Sequence, residues 1–228
     1  PLESRKRQLP DWLLRVRPPL VAIGFAGLAL AATTKCAQLP LHFWLTGASR
    51  GPSSATALIH SATTVVAGSY VLLRCSFLLD SAPVAMSGLV AIGAATVVVG
   101  GLAAATQLDG LRLLAFTTSA VLGFVLIGIG LGAPATATFL LLSHAYAKAH
   151  LVLAFGIVQA SQKGETDLRR LGGLARSMRW THAMAAIGVA LQMGIDDATV
   201  QTGFANFGGV KRRFTKVGEI DVDGGKAI

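Results

Sequence analysis

Residues 135–159 read ATATFLLLSHAYAKAHLVLAFGIVQ, an apolar run of 25 residues that carries His144, Lys148 and His150 near its middle. A bilayer core takes roughly 20 apolar residues per helix, so the run is long enough to span. Further apolar blocks occupy Pro19–Thr34, Ala55–Leu79, Val84–Thr106 and Leu111–Gly132. Hydrophobic residues make up 53% of the 228 and charged residues 14%, with a mean hydropathy of +0.61. Ordinary globular chains carry about 25% charge. Gly88, Gly93, Gly100, Gly101, Gly123, Gly128, Gly130 and Gly132 lie in or beside these blocks. They would weaken helices in water, whereas in lipid they let helices approach closely. The expected fold is all-α: a polytopic membrane helix bundle.

Working outward, Pro40 decides where the first block ends. Proline removes a backbone donor and clashes with the preceding turn, so a span running through Lys35 is expected to break over residues 35–41. A short helical piece over Leu41–Ala48 should follow. Broken helices at membrane depth persist only where protein or a wet cavity covers the freed backbone groups, and they recur at transporter sites. Gly51-Pro52-Ser53-Ser54 reads as a turn with an N-cap for the next span. Asp80 to Pro83, Gln107-Leu108-Asp109-Gly110 and Gly132-Ala133-Pro134 read as tight turns. The expected organisation is a basic arm over 1–17, about five transmembrane helices over 18–160, an amphipathic or interfacial segment over 161–195, in which Glu165–Arg179 has an amphipathic helical pattern, and a polar tail over 196–228. No signal-peptide pattern is expected ahead of the first span.

The net charge of +9 is carried outside the spans, at Arg5, Lys6, Arg7, Arg15 and Arg17, over Lys163–Arg179, and at Lys211, Arg212, Arg213 and Lys216. Lipid headgroups and water account for charge so placed. No stacking aromatics accompany it, so no nucleic-acid partner is expected. With five alternating spans the basic residues divide almost evenly between the two sides, and orientation stays undecided. Cys36 and Cys75 lack CxxC spacing and read as small packing residues, and no metal site is expected. No GxGxxG or P-loop pattern is present, and no cofactor is expected.

The chemistry lies in ionisable side chains held in apolar helices. Such a group near the bilayer centre costs about 2.5–3.5 kcal/mol on insertion scales, and marks a functional position by default. Lys148 is too deep in its run to reach an interface. His144 lies one helical turn before it on the same face. Histidine changes charge near neutral pH, so the pair suits proton passage through intervening water. The plainer reading, hydrogen bonding within a bundle, suits a lone histidine better than a deep pair. Lys35 stands at the break, where an amine can meet freed carbonyls or an acidic partner; the alternative is a lysine marking the interface. His60 has Ser61, Thr63 and Thr64 beside it. His42 and Trp44 flank the break and read as packing residues. No Asp or Glu lies well inside a span, so an acidic partner for a buried lysine must come from another chain.

At these residues the sequence resembles a known family. The run Lys35-Cys36-Ala37-Gln38-Leu39-Pro40-Leu41-His42-Phe43-Trp44-Leu45, then Gly51-Pro52 and Ala57 through Gly68, is similar to NADH dehydrogenase subunit 5. That family is the antiporter-like, proton-pumping subunit of respiratory complex I, related to Mrp-type sodium/proton antiporters. Asp109–Ser119, Ser143–Ala149 and Asp167–Leu174 continue the resemblance, which covers about Leu20–Leu174. It implies that Lys35 is the lysine at the break of the family's seventh helix. His60 is the eighth-helix histidine, and His144 and Lys148 belong to the eleventh helix, toward the second half-channel. It also implies a non-redox subunit, with other complex I membrane-arm subunits and lipids as partners, in the mitochondrial inner membrane or alternatively a bacterial plasma membrane.

The departures from the pattern are specific. Leu140 stands where the family has a second histidine, and Thr46 and Ser54 replace prolines. The glutamate that pairs with the break lysine and the second broken helix are not found. The expectation is a truncated or split subunit 5, completed by another chain. A subunit of an Mrp-type cation/proton antiporter and a non-pumping structural remnant are the alternatives.

Overall fold

The structure is a computed structural model that describes residues 18–76, 83–174 and 177–193, together with residues 199, 202, 220–222 and 225–227. The expected basic arm over 1–17 and the turn from Asp80 lie outside the described residues, as does most of the tail over 196–228. Helices run in the order α1 (Pro18–Lys35), α2 (Phe43–Ala48), α3 (Ser53–Ser61), α4 (Thr64–Arg74), α5 (Pro83–Thr106), α6 (Gly110–Gly130), α7 (Pro134–Ser161) and α8 (Arg179–Met193). Two three-residue strands, β1 (Ile220–Val222) and β2 (Gly225–Ala227), pair antiparallel with Ile220 opposite Ala227, a small addition to the expected all-α fold.

Among the described residues four segments are long and apolar enough to cross a membrane: Ser53–Arg74, Pro83–Thr106, Gly110–Gly130 and Pro134–Ser161. The 18-residue α1 is not among them. Leu30, Val84, Val98, Leu102, Phe139 and Leu142 face outward, while Gln38, His60, Thr118, His144 and Lys148 are buried. Polar groups inside and large apolar groups outside is the arrangement that suits lipid as the surroundings.

Local chemistry sets the helix ends. The Asp109 carboxylate accepts from the Leu111 and Arg112 N–H groups at 2.9 and 3.0 Å and so caps α6. At its other end Gly132, at φ +70°, donates to the Ile129 carbonyl and Ala133 donates to Gly128. That pattern closes a helix through a left-handed residue, and Pro134 then opens α7. No side chain caps α3; Pro52 precedes it and its carbonyl takes the Thr56 N–H instead.

Close packing rests on small residues. A methyl on Gly93 would meet the Gly123 carbonyl oxygen at 2.6 Å, and one on Gly123 would meet the Gly93 carbonyl at 2.8 Å. Helices α5 and α6 therefore touch backbone to backbone. Gly88, Gly101 and Gly132 face open space, so not every glycine in the apolar blocks serves packing. Beneath α7, a methyl on Gly188 would meet the Ala147 carbonyl at 3.1 Å, which seats α8 alongside α7.

Two elements differ from the sequence expectation. The block Ala55–Leu79 is not one continuous helix, because it breaks at Ala62–Thr63. There the Leu58 carbonyl accepts from the Ala62 N–H, the Thr63 N–H and the Thr63 hydroxyl, at 3.0 to 3.1 Å. The five-residue step and the competing hydroxyl loosen the helical ladder locally. The segment 165–174 is turns rather than an amphipathic helix. Glu165 accepts from the Thr166 and Asp167 N–H groups, and Asp167 accepts from that of Arg169. These carboxylates bind their own downstream backbone and pull it out of helical geometry.

Candidate functional site

The break comes where Pro40 places it. Helix α1 ends at Lys35, Ala37 adopts φ +51°, the Leu39–Pro40 peptide is cis, and α2 begins at Phe43. The freed backbone groups find side chains. Gln38 Nε2 donates to the Cys36 carbonyl at 2.9 Å and to the Ser119 carbonyl of α6 at 3.1 Å. Trp44 Nε1 donates to the Thr34 carbonyl at 3.0 Å, and the Leu39 N–H donates to Thr96 Oγ1 of α5 at 3.1 Å. Trp44 thus does more than pack. His42 does pack, with its ring 4.1 Å from Phe43 and 6.0 Å from Phe116.

Lys35 takes no part in this capping. Its side chain is exposed at the rim of a groove of about 610 Å³ lined by Ala32, Thr63, Thr64 and Gly68. The expected contact between its amine and freed carbonyls is not made. Gln38 and Trp44 occupy those carbonyls, and α4 packs against α1 so closely that a methyl on Gly68 would meet the Ala32 carbonyl.

His60, His144 and Lys148 come together in the interior, each no more than 1% exposed. The His60 ring lies between two hydroxyls: Ser49 Oγ stands 2.8 Å from Nε2, and Thr118 Oγ1 stands 3.0 Å from Nδ1. His144 Nε2 donates to the His60 carbonyl at 3.2 Å, which fixes its proton on Nε2. Its Nδ1 is buried with no hydrogen-bond partner. Lys148 Nζ donates to Thr117 Oγ1 at 2.5 Å and to the Leu114 carbonyl at 3.3 Å. His144 and Lys148 share a face, as their spacing requires, yet they serve different helices. One holds α3 and the other α6. His150 donates from Nδ1 to the Tyr146 carbonyl of its own helix at 2.8 Å.

Among the described residues the only ion pairs are Arg169–Asp167 at 2.7 Å and Arg170–Glu165 at 3.1 Å, both in the loop after α7. Neither Lys35 nor Lys148 is paired with an acid there. The Arg169 guanidinium, helped by the Arg169 N–H, pulls the Asp167 carboxyl down to about 2. The Asp167 N–H and then the Arg170 guanidinium lower that of Glu165. The loop is pinned to the α5–α6 turn. Gly110 N–H donates to the Thr166 carbonyl, Leu168 N–H donates to that of Leu108, and the Thr166 hydroxyl donates to Asp109.

Residues 14–204 match the model of the family NADH:quinone oxidoreductase/Mrp antiporter, transmembrane. The chain belongs to that family. Curated relatives called NADH-ubiquinone oxidoreductase chain 5 include that of Metridium senile, 38% identical over 167 residues, which are 73% of this chain and 28% of that protein. The chain 5 proteins of Rhinoceros unicornis and Bos indicus are 38% and 39% identical over 162 residues, 71% of this chain and 27% of theirs. The chain thus spans little more than a quarter of the length of these relatives. Among solved structures, the Mrp complex from Dietzia sp. DQ12-45-1b contains a chain that superposes with a TM-score of 0.62. It is 24% identical and covers 78% of this chain and 38% of its own, so it shares the fold.

Sequence reasoning singled out Lys35, Pro40, His60, His144 and Lys148, and it missed Gln38, Ser49, Thr117 and Thr118. The one signal pointing to the threonines was their place inside the Asp109–Ser119 motif. Ser49 had no signal, since nothing local shows which ring a buried hydroxyl will meet.

Proposed function

We propose that this chain is the middle part of the antiporter-like chain 5 in the membrane arm of respiratory complex I, in the mitochondrial inner membrane. There it helps move protons, driven by quinone reduction elsewhere in the complex, and carries no redox centre of its own. The observation that carries this reading is the interior cluster of His60, His144 and Lys148, with Ser49, Thr117 and Thr118 bonded to it. A structural lysine has little reason to sit at full burial with, among the described residues, only a hydroxyl and a carbonyl as partners, because these offset the cost of desolvation less than an acid would. A lysine that gains and loses a proton does.

Lys35 is proposed to act with an acidic group from another chain seated in its groove, and the rest of the membrane arm supplies the remaining path. The higher identity to chain 5 proteins favours complex I over an Mrp-type antiporter, whose fold the chain shares. Affinity purification of the tagged chain from mild detergent decides between them. Recovery of flavin and iron–sulfur subunits, with NADH-dependent proton pumping by the reconstituted assembly, is the expected outcome. Sodium-dependent proton exchange without NADH oxidation would overturn the proposal in favour of the antiporter.

A further inference from the structure

The Leu114 carbonyl is oversubscribed. It carries the helix bond of α6 and lies within reach of three side-chain donors: Thr118 Oγ1 at 2.8 Å, Thr117 Oγ1 at 3.1 Å and Lys148 Nζ at 3.3 Å. A carbonyl oxygen offers two lone pairs, so these donors compete. Thr118 has a second place for its single hydroxyl proton, His60 Nδ1 at 3.0 Å. On the opposite side of the ring Ser49 is placed alike, 2.8 Å from the Leu45 carbonyl and 2.8 Å from His60 Nε2. All of these groups are buried: Ser49 is 1% exposed, and His60 and Thr118 are fully enclosed.

Each protonation state of His60 then keeps its hydrogen bonds by hydroxyl rotation alone. With the ring proton on Nδ1, His60 donates to Thr118, Thr118 donates to Leu114, and Ser49 donates to Nε2. With the proton on Nε2, His60 donates to Ser49, Ser49 donates to Leu45, and Thr118 donates to Nδ1. With both nitrogens protonated, both hydroxyls turn to their carbonyls. A buried ring that stays satisfied in every state avoids the penalty of an unmade bond.

We propose that Thr118 is a positioning residue that couples Lys148 to His60, its hydroxyl turning to the ring when the lysine ammonium claims the Leu114 carbonyl. An ammonium donating to Leu114 favours the ring proton on Nε2, against Ser49. Loss of that claim returns Thr118 to Leu114 and favours Nδ1. Passing from the Nδ1 tautomer to the Nε2 tautomer takes one proton off Nδ1 and places one on Nε2, so the ring stays neutral. A water entering beside Thr118 would accept the first, and a water entering beside Ser49 would supply the second. This inference rests on the proposed proton-translocating function.

The test is the proton-to-electron ratio of the intact complex in sealed vesicles with NADH as electron source, for Lys148→Met, Thr118→Val and Thr118→Ser. Thr118→Val keeps the shape and removes the hydroxyl. It is expected to lower the ratio to that of Lys148→Met, with NADH oxidation sustained. Thr118→Ser restores the ratio. A wild-type ratio in Thr118→Val, with Lys148→Met impaired, would overturn the coupling and leave the proposed function standing. An unimpaired Lys148→Met would instead count against the proposed function. If Thr118→Val lowers oxidation and pumping in parallel and serine restores neither, Thr118 is merely structural and the inference fails. Should the valine variant not assemble, Thr118→Ala removes the same hydroxyl and is read by the same outcomes.

Discussion

Two lysines, one at the end of α1 and one inside α7, are treated oppositely by the fold. Lys148 is 1% exposed and bonded by Thr117 and Leu114 of the neighbouring helix. Lys35 lies exposed along a groove with Thr63 and Thr64, at the end of a broken helix whose carbonyls other side chains have already taken. The contrast teaches that burial completes one site within the chain and leaves the other open. A buried amine must be satisfied by the fold that buries it; an amine on a groove awaits what fills the groove.

Truncating the two lysines should break the symmetry of that comparison most visibly. Lys148→Ala removes a buried side chain and leaves a cavity between α6 and α7, at a cost of about 2–5 kcal/mol. Lys35→Ala changes an exposed position, where substitutions stay within about 0.5 kcal/mol. Thermal inactivation of the detergent-purified assembly should therefore shift well down for the first variant and hardly at all for the second. Equal shifts would mean that another chain buries Lys35 as deeply as this fold buries Lys148.

Gln38→Leu comes next. It takes the cap from the Cys36 carbonyl and the bridge to Ser119. Buried carbonyls so abandoned cost about 1–3 kcal/mol. Thermal inactivation should fall by an intermediate amount, and Trp44→Phe, which loses the single bond to Thr34, should cost less. A neutral Gln38→Leu would show that the break is held by something other than these bonds.

The smallest effect belongs to the loop after α7. The Asp167 carboxyl is held at about 2 against an ordinary 3.8, chiefly by the Arg169 guanidinium. A depressed carboxylate contributes order that is fully present above pH 3.8 and lost as pH falls toward 2. Amide exchange at Leu168, whose N–H donates to the Leu108 carbonyl, should be protected at pH 5 and lose protection across that window. Asp167→Asn should show little pH dependence over the same range. Protection unchanged down to pH 2 would mean that the bonds to Gly110 and Leu108 hold the loop without the carboxylate.

Much of the bundle was legible because membrane helices announce themselves by length and polarity, and because anomalies stand out against them. Pro40 could not continue a helix, and Lys148 could not reach water from the middle of its run. What stayed hidden depends on neighbours rather than on local chemistry. Thr63 looks like any threonine in an apolar helix, and only the crowding at the Leu58 carbonyl shows that it breaks one. Ser49 and Thr118 acquire meaning from the ring between them, and that ring comes from a third helix. The segment after Glu165 misled because its charge spacing fits a helix, while its carboxylates prefer the nearest backbone N–H.

If the interior cluster carries protons in the proposed complex, the decisive quantity is the proton-to-electron ratio of that complex, fully assembled, bearing Lys148→Met. Methionine fills nearly the same volume without a titratable proton. The expected outcome is assembly and NADH oxidation with fewer protons moved per electron. A wild-type ratio in a fully assembled complex would contradict it and mark this part of the chain as a structural member of the membrane arm.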